Sequence, residues 1–356
     1  MGYERSNIGR MTGYVYGEQP DDPAVVKLNT NENPYPPSAA VERAMRGFDA
    51  DTLRRYPPAT AEPLRRLVAE RLGVLPEQVV VTNGGDEALR LAITTFVDPG
   101  ATFGTTDPGY SLCPVLAGVQ GCAVEAISMT TDWSVPGDFA RRLNARGTRL
   151  ACIVNPHAPS GALVEAGTVA AIAAELDGVL LVDEAYVDFV DPALGHDLTP
   201  LVAERDNVLL LRTLSKGYSL AGLRIGFLVG DAGLIDPVVT KTRDSYNVDA
   251  IAQELGTAAY ADQKHARKTW RAVLRERHRL VDELRARRFR VAESQANFVL
   301  AEASGDRSAK TVFEGLRQRG ILVRHFDTPR LAQSLRITVG TPAENDALIE
   351  ALDDIL

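Results

Sequence analysis

The chain has 356 residues, 45% hydrophobic and 24% charged, with a formal net charge of −8. That length exceeds what a single hydrophobic core serves, so one large unit and a smaller one are expected. The acidic balance argues against a nucleic-acid or anionic-membrane surface but leaves room for a local basic pocket, and three scattered cysteines, Cys113, Cys122 and Cys152, argue against a disulfide scaffold and against structural zinc.

Residues 1–30 are polar, carry Tyr3, Tyr14 and Tyr16, and read as an arm rather than a core element. No signal-peptide core is visible in them, and no apolar run approaches the roughly 20 residues that span a bilayer. A cytoplasmic protein without a membrane or nucleic-acid partner is therefore expected. The stretch LNTNENPYPPS (28–38) is an ordered loop by its Asn and Pro clusters, with Ser38 capping a helix over AAVERAMRGF. Arg54-Arg55-Tyr56-Pro57-Pro58 is a turn, because consecutive prolines stop a helix. Residues 62–72 have helical apolar spacing.

Residues 79–81 read as a buried strand, followed by Thr82-Asn83-Gly84-Gly85-Asp86 and a helix with Asp86 near its start. Backbone N–H groups at such a helix start point at an anion, and glycines let it approach. Most Gly-Gly turns before helices bind nothing, so the turn alone is a weak sign. Alternation continues: strands at 101–106, 123–127, 150–154, 179–182 and 208–211, with helices at 108–119, 137–146 and 164–176. Continuous apolar runs alternating with helices predict a mostly parallel sheet covered on both faces, with ligands at the carboxyl ends of its strands. The polar residues after those runs are Asn155-Pro156-His157, Asp183-Glu184-Ala185-Tyr186 and the stretch TLSKGYSLAGLRIGFLVG (213–230). There Lys216 sits between apolar flanks, and Arg224 follows eight residues on. Burial lowers a lysine's pKa and makes it a nucleophile for carbonyls.

A helix at 249–261 and a long charged helix at 264–288 come next, the latter expected to turn a solvated charged face outward and to link the two units. The remainder alternates strands at 289–291, 297–300, 321–324 and 335–339 with helices at 309–318 and 342–352, a small α+β unit. Arg324 and Arg336 each lie on or end a short apolar strand; Arg336, between Leu335 and Ile337, lies on one face of an otherwise apolar strand and suits an anionic partner.

In order along the chain stand NTNENP, RRYPP, NGGDE, PGYS, NPHAPSG, VDEAYVDF, TLSKGYSLAGLRIGF, YNV, ANF, GILVR and SLRITVGT. This set resembles the fold-type I pyridoxal-phosphate (PLP) aminotransferases of class I/II over nearly the whole chain. It is most similar to their histidinol-phosphate branch. The resemblance implies an α/β fold: a large PLP-binding domain with a mostly parallel seven-stranded sheet between helices (31–260), a smaller C-terminal α+β domain (261–356) and the N-terminal arm (1–30). It implies a homodimer with shared active sites, taking an amino donor and a 2-oxo acid, and no metal. By the same resemblance, Lys216 holds PLP as the Schiff-base lysine and moves the proton. Asp183 pairs with the ring nitrogen, Asn155 and Tyr186 bond the ring 3-oxygen, and Tyr110 stacks on the ring. Gly85, Asp86, Thr213, Ser215 and Arg224 hold the phosphate, with Tyr56 reaching in from the partner subunit. Arg336 and Arg324 bind the substrate anion, with Tyr16 and Asn33 on the substrate side.

The implied reaction is histidinol phosphate and 2-oxoglutarate giving imidazole acetol phosphate and L-glutamate, in a ping-pong cycle of histidine biosynthesis. The cofactor residues equally suit another PLP enzyme of this fold, such as an aromatic aminotransferase, a lyase or an amino-acid oxidase. A PLP-sensing regulator would need a nucleic-acid-binding module that an arm of about 30 residues is too short to form. The chain departs from the family pattern at Pro36, where Gly is common, and at Gly85, where Ser is common nearby. It also has His157-Ala158-Pro159-Ser160 where Asn-Asn-Pro-Thr is common. His157 itself is expected to be an exposed loop residue.

Overall fold

The apolar runs that predict buried strands do assemble into one sheet. The computed structural model describes residues 2–304 and 308–356, so the first residue of the arm lies outside the described residues. The elements are β1 (Val26–Lys27), α1 (Ala39–Gly47), α2 (Glu62–Leu72), β2 (Val79–Thr82), α3 (Gly84–Phe96), β3 (Thr102–Asp107), α4 (Leu112–Gln120), β4 (Ala123–Ser128), α5 (Phe139–Asn144), β5 (Thr148–Val154), α6 (Ala166–Glu175) and β6 (Val179–Asp183). They continue with α7 (Thr199–Glu204), β7 (Val208–Thr213), β8 (Gly226–Gly230), α8 (Ala232–Pro237), α9 (Ala250–Ala261), α10 (Gln263–Ala286), β9 (Arg290–Val291), β10 (Phe298–Glu302), α11 (Ala309–Gln318), β11 (Ile321–Leu322), β12 (Arg324–His325), β13 (Ser334–Thr338) and α12 (Pro342–Ile355). Helices α7 and α8, six residues each, are additions to the expected elements.

The seven-stranded sheet has the order β2-β8-β7-β6-β5-β3-β4 and is parallel except for β8, which runs against both its neighbours. Its side chains alternate between two cores, as the period of two requires. Ala151, Ile153, Leu180, Val182, Leu210 and Val229 face α2, α6 and α9. Leu150, Cys152, Leu181, Leu209 and Leu228 face α3 and α4.

A four-stranded antiparallel sheet, β12-β13-β10-β9, forms the C-terminal unit. Helix α10 packs on it through Val273, Leu280 and Leu284. The charged face of α10 is not all solvated: Arg277 is 1% exposed and donates to the Phe189 and Ala296 carbonyls and to Gln295. The arm differs from expectation too. Strand β1 pairs in parallel with β11, and Leu28 is buried in the C-terminal core. The predicted strand 321–324 breaks at Val323 into β11 and β12, which serve different sheets. That break places Arg324 directly across from Arg336 in the β12–β13 pair. No helix among the described residues is long and apolar enough to cross a membrane.

Candidate active site

The carboxyl ends of β2, β5, β6 and β7 come to one edge, where a cavity of about 450 Å³ opens between the two sheets. Asp183 ends β6 and Lys216 follows β7 by three residues; both line this cavity. Desolvation dominates at both. It pushes the Asp183 carboxyl up to about 7 and the Lys216 amine down to about 8, the latter with help from the Arg336 charge. Lys216 Nζ donates to the Thr30 carbonyl at 2.8 Å, and Asp183 accepts from the Ala185 N–H at 3.1 Å.

Because β8 is antiparallel, its first residue returns to the same edge, pairing Gly226 with both Thr82 and Thr213. This is why Arg224, eight residues past the lysine, lies beside the start of α3. Gly84 has φ +78, and a Cβ there would stand 2.7 Å from the Arg224 guanidinium. A Cβ on Gly226 would meet the Gly84 backbone at 2.8 Å. Glycine at both positions lets the guanidinium and the N–H groups opening α3 face one point. Arg224 donates to Asp86 at 3.1 Å and reaches Ser215 Oγ at 3.5 Å; Tyr110 donates to the other Asp86 oxygen at 3.0 Å. Gly85, Asp86, Tyr110, Thr213, Ser215 and Arg224 all line the cavity.

Arginines close the opposite wall. Arg336 and Arg324 line the cavity, the first donating to the Asn29 carbonyl at 2.8 Å and the second to the Val15 carbonyl at 3.4 Å. Arg336 Nε is buried with no hydrogen-bond partner. Burial, and after it the neighbouring Arg324 charge, lower the Arg336 pKa, while Tyr186 opposes them.

Several expected residues sit elsewhere. Asn155 is fully buried, and its amide bonds both the N–H and the carbonyl of Val164, so it faces the 155–164 loop and not the cavity. Ala158 and Pro159 form that wall instead. Asn33 is turned to the Gly217 carbonyl at 3.3 Å, beneath the lysine loop; Asn29, Thr30 and Asn31 line the cavity in its place. Tyr16 is 77% exposed, and Tyr14, edge-on to Tyr110, lines the cavity. No local signal separates these candidates, because 14 and 16, like 29, 31 and 33, share one parity along an extended chain. His157 is not an exposed loop residue. It is 1% exposed, bonds Ser160 and the Pro108 carbonyl, and is held neutral by burial, its pKa lowered to about 4. Tyr56 lies outside the cavity, 81% exposed and stacked on Tyr246 at 4.4 Å between ring centres.

A buried lysine of lowered pKa, at the ligand-binding edge of a doubly covered parallel sheet, is suited to react with carbonyls. The chain belongs to the aminotransferase class I and II family, whose model matches residues 23–352. It is 41% identical to the histidinol-phosphate aminotransferase of Geotalea uraniireducens over 352 residues, 99% of each chain. It is also 41% identical to histidinol-phosphate aminotransferase 1 of Nostoc sp., over 99% of this chain and 98% of that one. The solved histidinol-phosphate aminotransferase of Sinorhizobium meliloti in complex with pyridoxal-5′-phosphate matches the fold with a TM-score of 0.86 at 24% identity, covering 92% of this chain and 90% of that one. L-threonine-O-3-phosphate decarboxylase of Porphyromonas gingivalis also matches, with a TM-score of 0.78 at 21% identity over 93% of this chain and 99% of that one. The fold by itself thus leaves the reaction open.

Proposed function

We propose that this enzyme is a PLP-dependent transaminase moving the amine of histidinol phosphate to 2-oxoglutarate, giving imidazole acetol phosphate and L-glutamate in histidine biosynthesis. The residues present fit the cofactor. The Gly84–Gly85 turn and the Arg224 guanidinium form a cradle that a Cβ would fill, with Ser215 and Thr213 hydroxyls beside it. Across the cavity, Asp183 is a buried carboxylate with one N–H donor, suited to a cationic ring nitrogen. When bound, PLP supplies an electron sink for the carbon that carries the substrate's amine. Lys216 would hold the group covalently, and its Nζ would be the group that takes the proton from that carbon and returns it. Asp183 would keep a proton on the ring nitrogen, Tyr110 would cover the ring, and Tyr186 would bond its 3-oxygen.

The observation that carries the substrate is the Arg324–Arg336 pair. Arg324 lies across one strand pair from buried Arg336 and its charge disfavours the Arg336 cation, a repulsion that a dianionic phosphate or a carboxylate relieves. One pair thereby serves both halves of a ping-pong cycle. We read residues 31–260 as the cofactor domain and 261–356 as the small domain, with 26–30 fastened to the latter. The exposed Tyr56–Tyr246 stack, with exposed Met45 and Leu53 in the same part of the chain, supports a homodimer in which Tyr56 serves the partner's site. Buried, unpaired Cys113 and Cys152 support a reducing cytoplasm.

A panel of amino donors mixed with the PLP-loaded enzyme tests the reading. Histidinol phosphate and glutamate should bleach the visible band, and tyrosine or arginine should do so far more slowly. Arg336→Ala should lower kcat/KM for both good donors by roughly 10²-fold, as expected for a lost charge-assisted hydrogen bond of about 3 kcal/mol. Efficient conversion of tyrosine without that of histidinol phosphate would replace the substrate assignment.

A further inference from the structure

Tyr186 is 9% exposed and lines the cavity, and its ring lies 6.0 Å from Lys216 Nζ. Its hydroxyl has one protein partner among the described residues, Asn31 Nδ2 at 3.0 Å, which donates to it. The direction of that bond follows from its surroundings. Thr338 Oγ1 accepts from the Asn31 N–H at 3.0 Å and donates to Asn31 Oδ1 at 3.1 Å. With the amide turned the other way, the buried Thr338 hydroxyl would lose the acceptor for its proton. Asn31 is therefore fixed with its oxygen on Thr338 and its NH₂ on Tyr186. Asn31 is itself over-determined. It is 1% exposed, holds the left-handed region at φ 57, and its carbonyl accepts from Asn297 at 2.9 Å. Since Tyr186 accepts from Asn31, its own proton has no acceptor among the described residues and is free to be given to whatever fills the cavity. Burial raises the Tyr186 pKa, so that proton stays in place at working pH.

We propose that Asn31 is a positioning residue that, held by Thr338, makes Tyr186 an obligatory donor to the cofactor's ring 3-oxygen. The inference rests on the PLP reading above. It gains weight from the opposite wall, where Asn155 is turned away and Ala158 and Pro159 offer no side-chain donor. Tyr186 then carries alone a task that two residues were expected to share. It also ties the small-domain strand β13 to the electronics of the site through the two bonds Thr338–Asn31 and Asn31–Tyr186.

The test uses the pH midpoint of the visible absorption change of the PLP-loaded enzyme, which needs no turnover. A donor to the anionic 3-oxygen favours the deprotonated chromophore, so losing it moves the midpoint upward. Asn31→Asp keeps shape and tolerates the left-handed backbone, but it presents an acceptor that draws the Tyr186 proton to itself. Its midpoint should rise by roughly one pH unit, as for any lost hydrogen bond to a charged form, matching the rise in Tyr186→Phe. The other groups facing Tyr186, namely Arg336, Asp183, Tyr14, Tyr110 and Lys216, stay unchanged in both variants. The double variant should show no further rise. Asn31→Gly, which suits the backbone and leaves the Tyr186 proton free, should shift the midpoint less than Asn31→Asp, whatever its melting temperature. If Asn31→Asp does not fold, Thr338→Val, which frees the amide to turn, should raise the midpoint only when Tyr186 is present. An unchanged midpoint, or a shift that persists fully on the Tyr186→Phe background, overturns the inference. Absence of any visible band or of borohydride-fixed label on Lys216 overturns instead the PLP reading beneath it.

Discussion

Lys216→Ala should lose at least about 10⁴-fold in turnover while still taking up PLP. General acid–base catalysis by one positioned group is worth roughly 10²–10⁴-fold, and loss of covalent attachment adds to it. The Gly84–Arg224 cradle and Asp183 are separate from the lysine, so the cofactor should bind without the covalent link. Borohydride should then fix no label at position 216. Lys216→Arg should fare no better, because a guanidinium does not give up its proton near neutral pH. Turnover near the native rate in either variant would place the proton transfer on another group.

The wild-type lysine also predicts a pH dependence. Its amine is held near 8, against 10.5 for an ordinary lysine, so at neutral pH about 300 times more of it is unprotonated and reactive. The rate at which cofactor-free enzyme attaches PLP should climb with pH and level off above about 8. The same displacement has a cost. Charging a buried amine is unfavourable, so the cofactor-free protein should lose stability as pH falls from the unfolded pKa toward 8, with no further loss below it. Measuring attachment rates across that range checks the sign. A profile that rises only toward 10 would mean that the lysine is solvated.

How far the chain could be read in advance depended on what kind of signal each residue carried. The sheet was legible because its strands are continuous apolar runs, and the residues ending those runs had to reach one edge. Asp183, Lys216 and Tyr186 came from that rule, and Arg224 came with them once a returning strand followed the lysine. Rotations of single side chains were not legible. Asn155 ends β5 as Asp183 ends β6, yet its amide is spent on Val164, and only the path of the 155–164 loop decides this. The loop 29–33 holds three asparagines, and the sequence pointed to Asn33. Asn29 and Asn31 face the cavity instead, held by the pairing of β1 with β11 and by Thr338, residues about 300 positions away. Arg324 opposite Arg336 is a product of the strand break at Val323, a feature without a local sequence signal.

Asp183→Asn should separate stability from catalysis in opposite directions. Asp183 is 6% exposed and accepts one backbone N–H, so its carboxyl titrates near 7 in the cofactor-free fold. A raised carboxyl pKa means that the folded chain binds the extra proton between the unfolded pKa, near 3.9, and 7. Stability is therefore drawn down as pH rises through that window, and the full cost is present above 7. Asparagine keeps the acceptor for Ala185 and carries no charge. The cofactor-free variant should thus melt higher than wild type at pH 8, by roughly 2–4 kcal/mol of stability, and equal it near pH 4. Binding reverses the order. With PLP in place, the aspartate would pair with a protonated ring nitrogen, and removing one member of a buried ion pair costs about 3–5 kcal/mol, or roughly 10²–10⁴-fold in rate. Asp183→Glu, which restores the charge on a longer stem, should recover part of that rate but none of the cofactor-free stability. Melting curves at pH 4 and 8 beside single-turnover rates decide the matter. A variant less stable at both pH values would show that Asp183 is a structural acid, and an undiminished rate would show that another group keeps the ring nitrogen protonated.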